Sequence, residues 1–196
     1  MHVTVSFDEW KLTERDIRSY VSSVLGALRP HWERLWQEAG ESTSHPDVDQ
    51  VDVFYDRAGG IMPNDTEWMV LTGAFKDAVT AFEVYLEKAA REVSRRTGLP
   101  LKDRPAWKEL KAFYMSFGHD IEPSTVADIR ELRHILTHQR GELRTKDLRA
   151  KFGAGQTFLD RIADVDEQQL ETAMDQLADA VRAADQVMYP IVWPPR

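Results

Sequence analysis

The chain contains no cysteine. This excludes a disulfide framework and a thiolate metal site, and it fits a reducing interior. No apolar run approaches the ~18 residues that a membrane-spanning helix needs. The opening stretch, MHVTVSFDEWKLTERD, lacks the basic region and apolar run of a signal peptide. The sequence therefore reads as cytoplasmic, with no membrane partner. No fixed-period repeat and no low-complexity tract is present. Positive charge is in deficit: 25 Lys and Arg stand against 33 Asp and Glu, a net charge of −8. That balance argues against a broad, non-specific nucleic-acid binder.

What is present is enough for an ordinary globular core. Hydrophobic residues make up 42 % and charged residues 30 % of 196 positions, in line with one domain, or one domain with an appended arm. Five segments carry helical spacing. The first, 12–39, sets Ile17, Val21, Val24, Leu28, Trp32 and Leu35 on one stripe, with Pro30 expected to kink or break it. The stretch 40–65 reads as a polar loop, with VDVFY at 51–55 as a candidate strand that lacks a partner. The second helix, 66–97, repeats Trp68, Leu71, Phe75, Val79, Phe82, Leu86, Ala89 and Val93 at intervals of three and four. Asp65 is its expected cap, and Gly98 followed by Pro100 its end.

The third helix is expected over 105–117. The fourth, 126–139, follows a weak capping box of Thr125 and Asp128 and stops at Gly141. The fifth, 167–189, follows Asp166 and carries Leu170, Met174, Leu177, Val181, Ala184 and Met188. Such stripes need burial: each fully buried Leu or Phe gains about 1.5–3 kcal/mol. The aromatics and methionines on them are read as core. The expected fold is an all-α, antiparallel up-and-down helical bundle. Residues 66–196 would form the bundle, and 1–65 an N-terminal helical arm and loop.

The unusual stretch is RELRHILTHQRGEL, residues 130–143. At about 100° per residue, with Ile129 at zero, Leu136 and Leu132 fall on the core side and Arg133 at about 40°, at the edge of that arc. Arg130 falls at about 100°, His134 at about 140° and His138 at about 180°, with Ile135 near the outer face. The histidines thus sit four apart on the face away from the core. Arg133 needs a partner or an opening, because an unpaired buried charge is very costly; Glu83 is one candidate partner. A second copy of the helix, related by a two-fold axis, is the simplest cover for the outer face.

Three readings follow. Two histidines on an exposed helix face need have no role. A metal site would use His134 and His138, but the residue after His134 is Ile135, not the glutamate of HExxH. No third ligand is evident beyond His119, and the neighbouring arginines repel a cation. A nuclease site would use Arg133 and His138. RNA can be cut without metal or cofactor by attack of its own 2′-hydroxyl. That reaction needs groups to move two protons and a cation at the phosphorus, roles that histidine and arginine suit. The segment RGELRTKDLRAK, 140–151, holds five Lys and Arg against Glu142 and Asp147. A solvated connection accounts for it; Arg140 and Arg144 are weaker candidates for RNA backbone contacts.

RELRHILTHQRG resembles the signature of the HEPN superfamily of small helical bundles: an Arg, a polar residue, a few further residues, then His, here Arg133, His134 and His138. The segment 72–93 is similar to the family's long helix with a mid-helix Glu, here Glu83, and the resemblance spans roughly 66–189. It implies a homodimer with the two motifs at the interface. It also implies a metal-independent endoribonuclease of a toxin–antitoxin or antiviral defence system, leaving 2′,3′-cyclic phosphate and 5′-hydroxyl ends. Under it His138 transfers protons, Arg133 neutralises the scissile phosphate, and His134 supports the site, with Glu83 and Thr137 behind them. An antitoxin or defence-system protein would be a partner. Other members imply the alternative, an inactive HEPN-like binding or assembly module.

Overall fold

A computed structural model describes residues 3–43, 49–153, 162–163 and 165–193. The described residues form an all-α structure of α1 (Val5–Ser42), α2 (Gln50–Arg57), α3 (Pro63–Thr97), α4 (Trp107–Met115), α5 (Ser124–His138), α6 (Lys146–Phe152) and α7 (Glu167–Val192). No strand occurs among them, only an isolated bridge between Glu142 and Ile162. No helix is long and apolar enough to cross a membrane among these residues.

Side-chain contacts fix the helix directions. Near the start of α1, Glu9 meets Lys88 of α3 at 2.6 Å; further along, Arg29 meets Glu67 at 2.8 Å. The same helix runs from Thr4, at its N-terminus, bonded to Asp185, through Arg18, bonded to Asp175, to Arg29, bonded to Glu167. Thus α1 is antiparallel to both α3 and α7. On α5, Arg130 pairs with Glu83, while Gly141 just past its end lies against Trp68, so α5 is also antiparallel to α3. One core joins these helices: Trp10, Val21 and Leu25 from α1, Phe75, Phe82, Tyr85 and Leu86 from α3, Ile129, Ile135 and Leu136 from α5, and Leu177, Val181 and Met188 from α7. The segment read as an arm therefore packs lengthwise on α3 and shares its core.

Several local expectations are corrected. Pro30 does not break α1, which is continuous through it. The residue one turn before it, whose carbonyl lies under the proline ring, is Gly26, with nothing within 4 Å of where a Cβ would be. Residues 51–55 are helical, not a strand; Asp49 caps α2 through a 2.9 Å bond from Val51 N–H. Phe54 of α2 packs edge-on against Trp36 at 5.5 Å, closing an α1–α2 hairpin. The expected loop therefore holds a helix; its residues 44–48 lie outside the described ones, as do 194–196.

The second predicted helix begins earlier, at Pro63, so Asp65 sits in its first turn and is not its cap. Proline suits the first helical position because that N–H has no partner anyway. Its end is as expected: Gly98 has φ 75° and returns its N–H to Ser94. The capping box at Thr125 is absent, since α5 starts two residues sooner with Pro123 at the cap, and Asp128 serves Lys151 instead. The basic segment 140–151 contains all but the last residue of α6, capped by Thr145. Asp166 and Gln169 cap α7 reciprocally, and α7 continues through Pro190.

Candidate active site on the α5 face

The start of α5 is held by a charged cluster that sequence spacing did not reveal. Arg130 donates from Nε to Glu83 at 2.9 Å and from Nη1 to Glu122 at 2.7 Å. Its guanidinium lies 3.5 Å over the Trp107 ring. Trp107 Nε1–H in turn donates to Glu122 at 2.8 Å, and Lys111 donates to it at 3.2 Å. Burial alone would raise the Glu122 carboxyl, but hydrogen bonds from Lys111, Arg130 and Trp107 outweigh it and hold the group below its ordinary range. A planar cation that stacks and bonds on two edges is fixed in a way a lysine would not be.

The other end of α5 is held by backbone. Arg140 has φ 53° and Gly141 φ 80°, and Gly141 N–H closes onto the Ile135 carbonyl at 3.1 Å. The Gly141 carbonyl accepts from Ala163 N–H at 2.7 Å, and the Ala163 carbonyl accepts from Trp68 Nε1–H at 3.2 Å. Glycine suits 141 because of its left-handed backbone, and the residue packs closely on Trp68 and Ile162.

Between these fixed ends lies an open cleft of about 550 Å³, walled by Glu83, Asp128, Arg130, Glu131, Arg133, His134 and Lys151, with Ala127. Three carboxylates and three permanent cations face each other there, and the pairing is lopsided. Arg130 takes Glu83; Lys151 takes both Asp128, at 2.5 Å, and Glu131, at 2.7 Å. Those two bonds hold the Lys151 ammonium charged above the usual lysine range. Arg133 is left with no ion pair among the described residues, and its Nε is buried without a hydrogen-bond partner. The expected Glu83–Arg133 pairing is thus corrected: Glu83 pairs with Arg130, one turn earlier.

The remaining motif residues face solvent. His134 and His138 are exposed, their rings tilted at 46° with centroids 4.7 Å apart. His134 lines the cleft, and His138 continues the face beyond it. Thr137, expected behind the motif residues, is exposed. Ile135, expected near the outer face, is 1 % exposed, so the buried arc of α5 is wider than ideal helical angles give. Arg140 is exposed past the helix end, and Arg144 pairs with Glu142 at 3.3 Å; neither lines the cleft. His119 contacts Tyr114 rather than the other histidines, and burial lowers its pKa. No group of three His, Asp or Glu able to hold a metal occurs among the described residues.

The class defined by fold and site is an all-α bundle that presents a guanidinium and two imidazoles from a single helix. No protein-family model, curated protein or solved structure matches the chain. The family resemblance therefore rests on the Arg133–His138 motif and its helical setting.

Proposed function

We propose that the chain is a HEPN-like, metal-independent endoribonuclease of a toxin–antitoxin or antiviral defence system, working as a homodimer with its site where two α5 helices meet. One observation carries this reading: in the cleft every carboxylate is already engaged by Arg130 or Lys151, so among the described residues Arg133 is a cation without an ion pair, beside two exposed imidazoles. A phosphodiester supplies the missing charge, and a guanidinium grips it through paired donors. His138 then takes the 2′-hydroxyl proton or delivers one to the 5′-oxygen; the partner copy provides the second proton-transfer group. His134 orients the phosphate or its neighbouring ring. The products are a 2′,3′-cyclic phosphate and a 5′-hydroxyl.

The test is cleavage of single-stranded RNA in EDTA by the wild type, Arg133→Ala and His138→Ala. Loss of a proton-transfer residue costs about 10²–10⁴-fold in rate. Abolition of cleavage by EDTA, or equal cleavage by all three proteins, contradicts the mechanism. A second reading is an inactive HEPN-like binding or assembly module in a defence or regulatory complex. The near balance of charge in the cleft and the net charge of −8 favour it, since neither concentrates RNA on the surface. It prevails if His138→Ala is silent in cells while substitutions that break the dimer are not.

A further inference from the structure

Glu83 and Arg133 line the same cleft, yet Glu83 is bonded elsewhere. Arg130 and Arg133 sit three apart on α5, so their side chains leave the helix on neighbouring lines one turn apart. Glu83, on the opposing helix α3, lines the cleft together with both. Which arginine it takes decides whether the cleft holds a free cation or a neutral pair.

The selection is built in. Arg130 lies flat on Trp107, and its two bonded edges point at Glu83 and Glu122. Glu122 is itself tied to Trp107 Nε1 and Lys111. This arrangement fixes the Arg130 guanidinium before Glu83 chooses a partner. We propose that Arg130 is a positioning residue that sequesters Glu83 and thereby keeps Arg133 free for an incoming phosphate group. Trp107 and Glu122 are the frame that makes Arg130 win. Without Arg130 the cations left in the cleft wall are Lys151, which Asp128 and Glu131 already share, and Arg133, which has no ion pair among the described residues. The device rests on the reading of the cleft as a phosphate site, but not on that phosphate belonging to RNA.

The prediction separates charge loss from quenching. Arg130→Met removes a cation and also releases Glu83; Arg130→Met with Glu83→Gln removes the cation and the released carboxylate together, leaving in the cleft wall only Asp128 and Glu131, which hold Lys151. The probe is inorganic pyrophosphate, titrated into the full chain while the Arg133 Nε–H resonance is followed, its assignment given by Arg133→Lys. In the wild type that resonance moves on titration. In Arg130→Met it starts from a displaced position, and pyrophosphate affinity falls at least fivefold. In the double variant both return to within twofold of the wild type. Arg130→Lys gives an intermediate result, because an ammonium cannot bond on two edges while stacked.

Three results overturn the inference: a wild-type Arg133 resonance indifferent to pyrophosphate, Arg130→Met binding as well as wild type, or a double variant as weak as Arg130→Met with unchanged helicity and melting temperature. A parallel titration uses a 2′-O-methyl oligoribonucleotide, which cannot be cleaved for want of a 2′-hydroxyl. If pyrophosphate follows the predicted pattern and the oligonucleotide does not bind, the positioning role of Arg130 stands and the RNA reading falls. If both follow it, both stand.

Discussion

Asp185 offers a sharp test of how the bundle is held together. It is 4 % exposed, and its Oδ1 accepts from Thr4 N–H at 3.3 Å, Thr4 Oγ1–H at 2.5 Å and Tyr85 O–H at 3.4 Å. No lysine or arginine pairs with it among the described residues. Burial therefore raises its pKa, against the lowering effect of the Thr4 and Tyr85 hydrogen bonds. An acid whose folded pKa lies above the unfolded value of about 3.9 stabilises the fold fully below that value, and the contribution is lost as pH rises through the folded pKa. Asp185→Asn keeps an oxygen acceptor at the same place and cannot ionise. It is expected to match or exceed the wild type in stability at pH 8, with its advantage shrinking towards pH 4.

Asp185→Ala is a different perturbation. It strands the N–H and O–H of Thr4, a residue with no exposed surface. An unsatisfied buried donor costs about 1–3 kcal/mol, so two such donors, partly offset by removal of the buried charge, predict a loss of about 2–4 kcal/mol. Urea unfolding of the three proteins at pH 4.5 and pH 8, with a shared slope, measures both effects. An asparagine variant more than about 1 kcal/mol less stable than wild type at both pH values would contradict this account. The Thr4 and Tyr85 hydrogen bonds would then outweigh the cost of burying the charge, and the Asp185 pKa would be lowered rather than raised.

Two further outcomes are expected. Trp10→Ala, at a position 3 % exposed in the shared core, should cost about 3–5 kcal/mol while unfolding remains a single transition; separate melting of α1 would show that it is not part of one cooperative unit. Arg140→Gly relieves a non-glycine residue at φ 53° and should raise stability by about 0.5–1 kcal/mol, less than the full left-handed penalty because glycine is the more flexible residue. If Arg140 also touches RNA, the same variant lowers the slope of log affinity against log salt by about 0.7; an unchanged slope removes it from the RNA-contact residues.

Much of the helix pattern was legible from periodicity. The α3 and α7 stripes, the Gly98 stop and the Asp166 cap needed only local rules, and each is where spacing put it. The misplacements are equally physical. The peptide 51–55 alternates like a strand, but Phe54 finds Trp36 on α1, and tertiary packing overrides the local pattern. Proline at 30 does not end α1, which continues through it to Ser42. The segment 140–151 looked like a solvated charge run because the caps of a seven-residue helix carry little hydrophobic signal.

That His134 and His138 lie side by side on the outer face of a helix, with Arg133 nearer the edge of its core arc, follows from residue order alone, because a 3.6-residue turn fixes the angle between them whatever surrounds it. Residue order also supplies every charge of the cleft. How those charges pair is a matter of three-dimensional packing. Coulomb attraction depends on distances between separate helices, and Glu83 pairs with Arg130 where Trp107 and Glu122, from another part of the chain, hold that guanidinium in place.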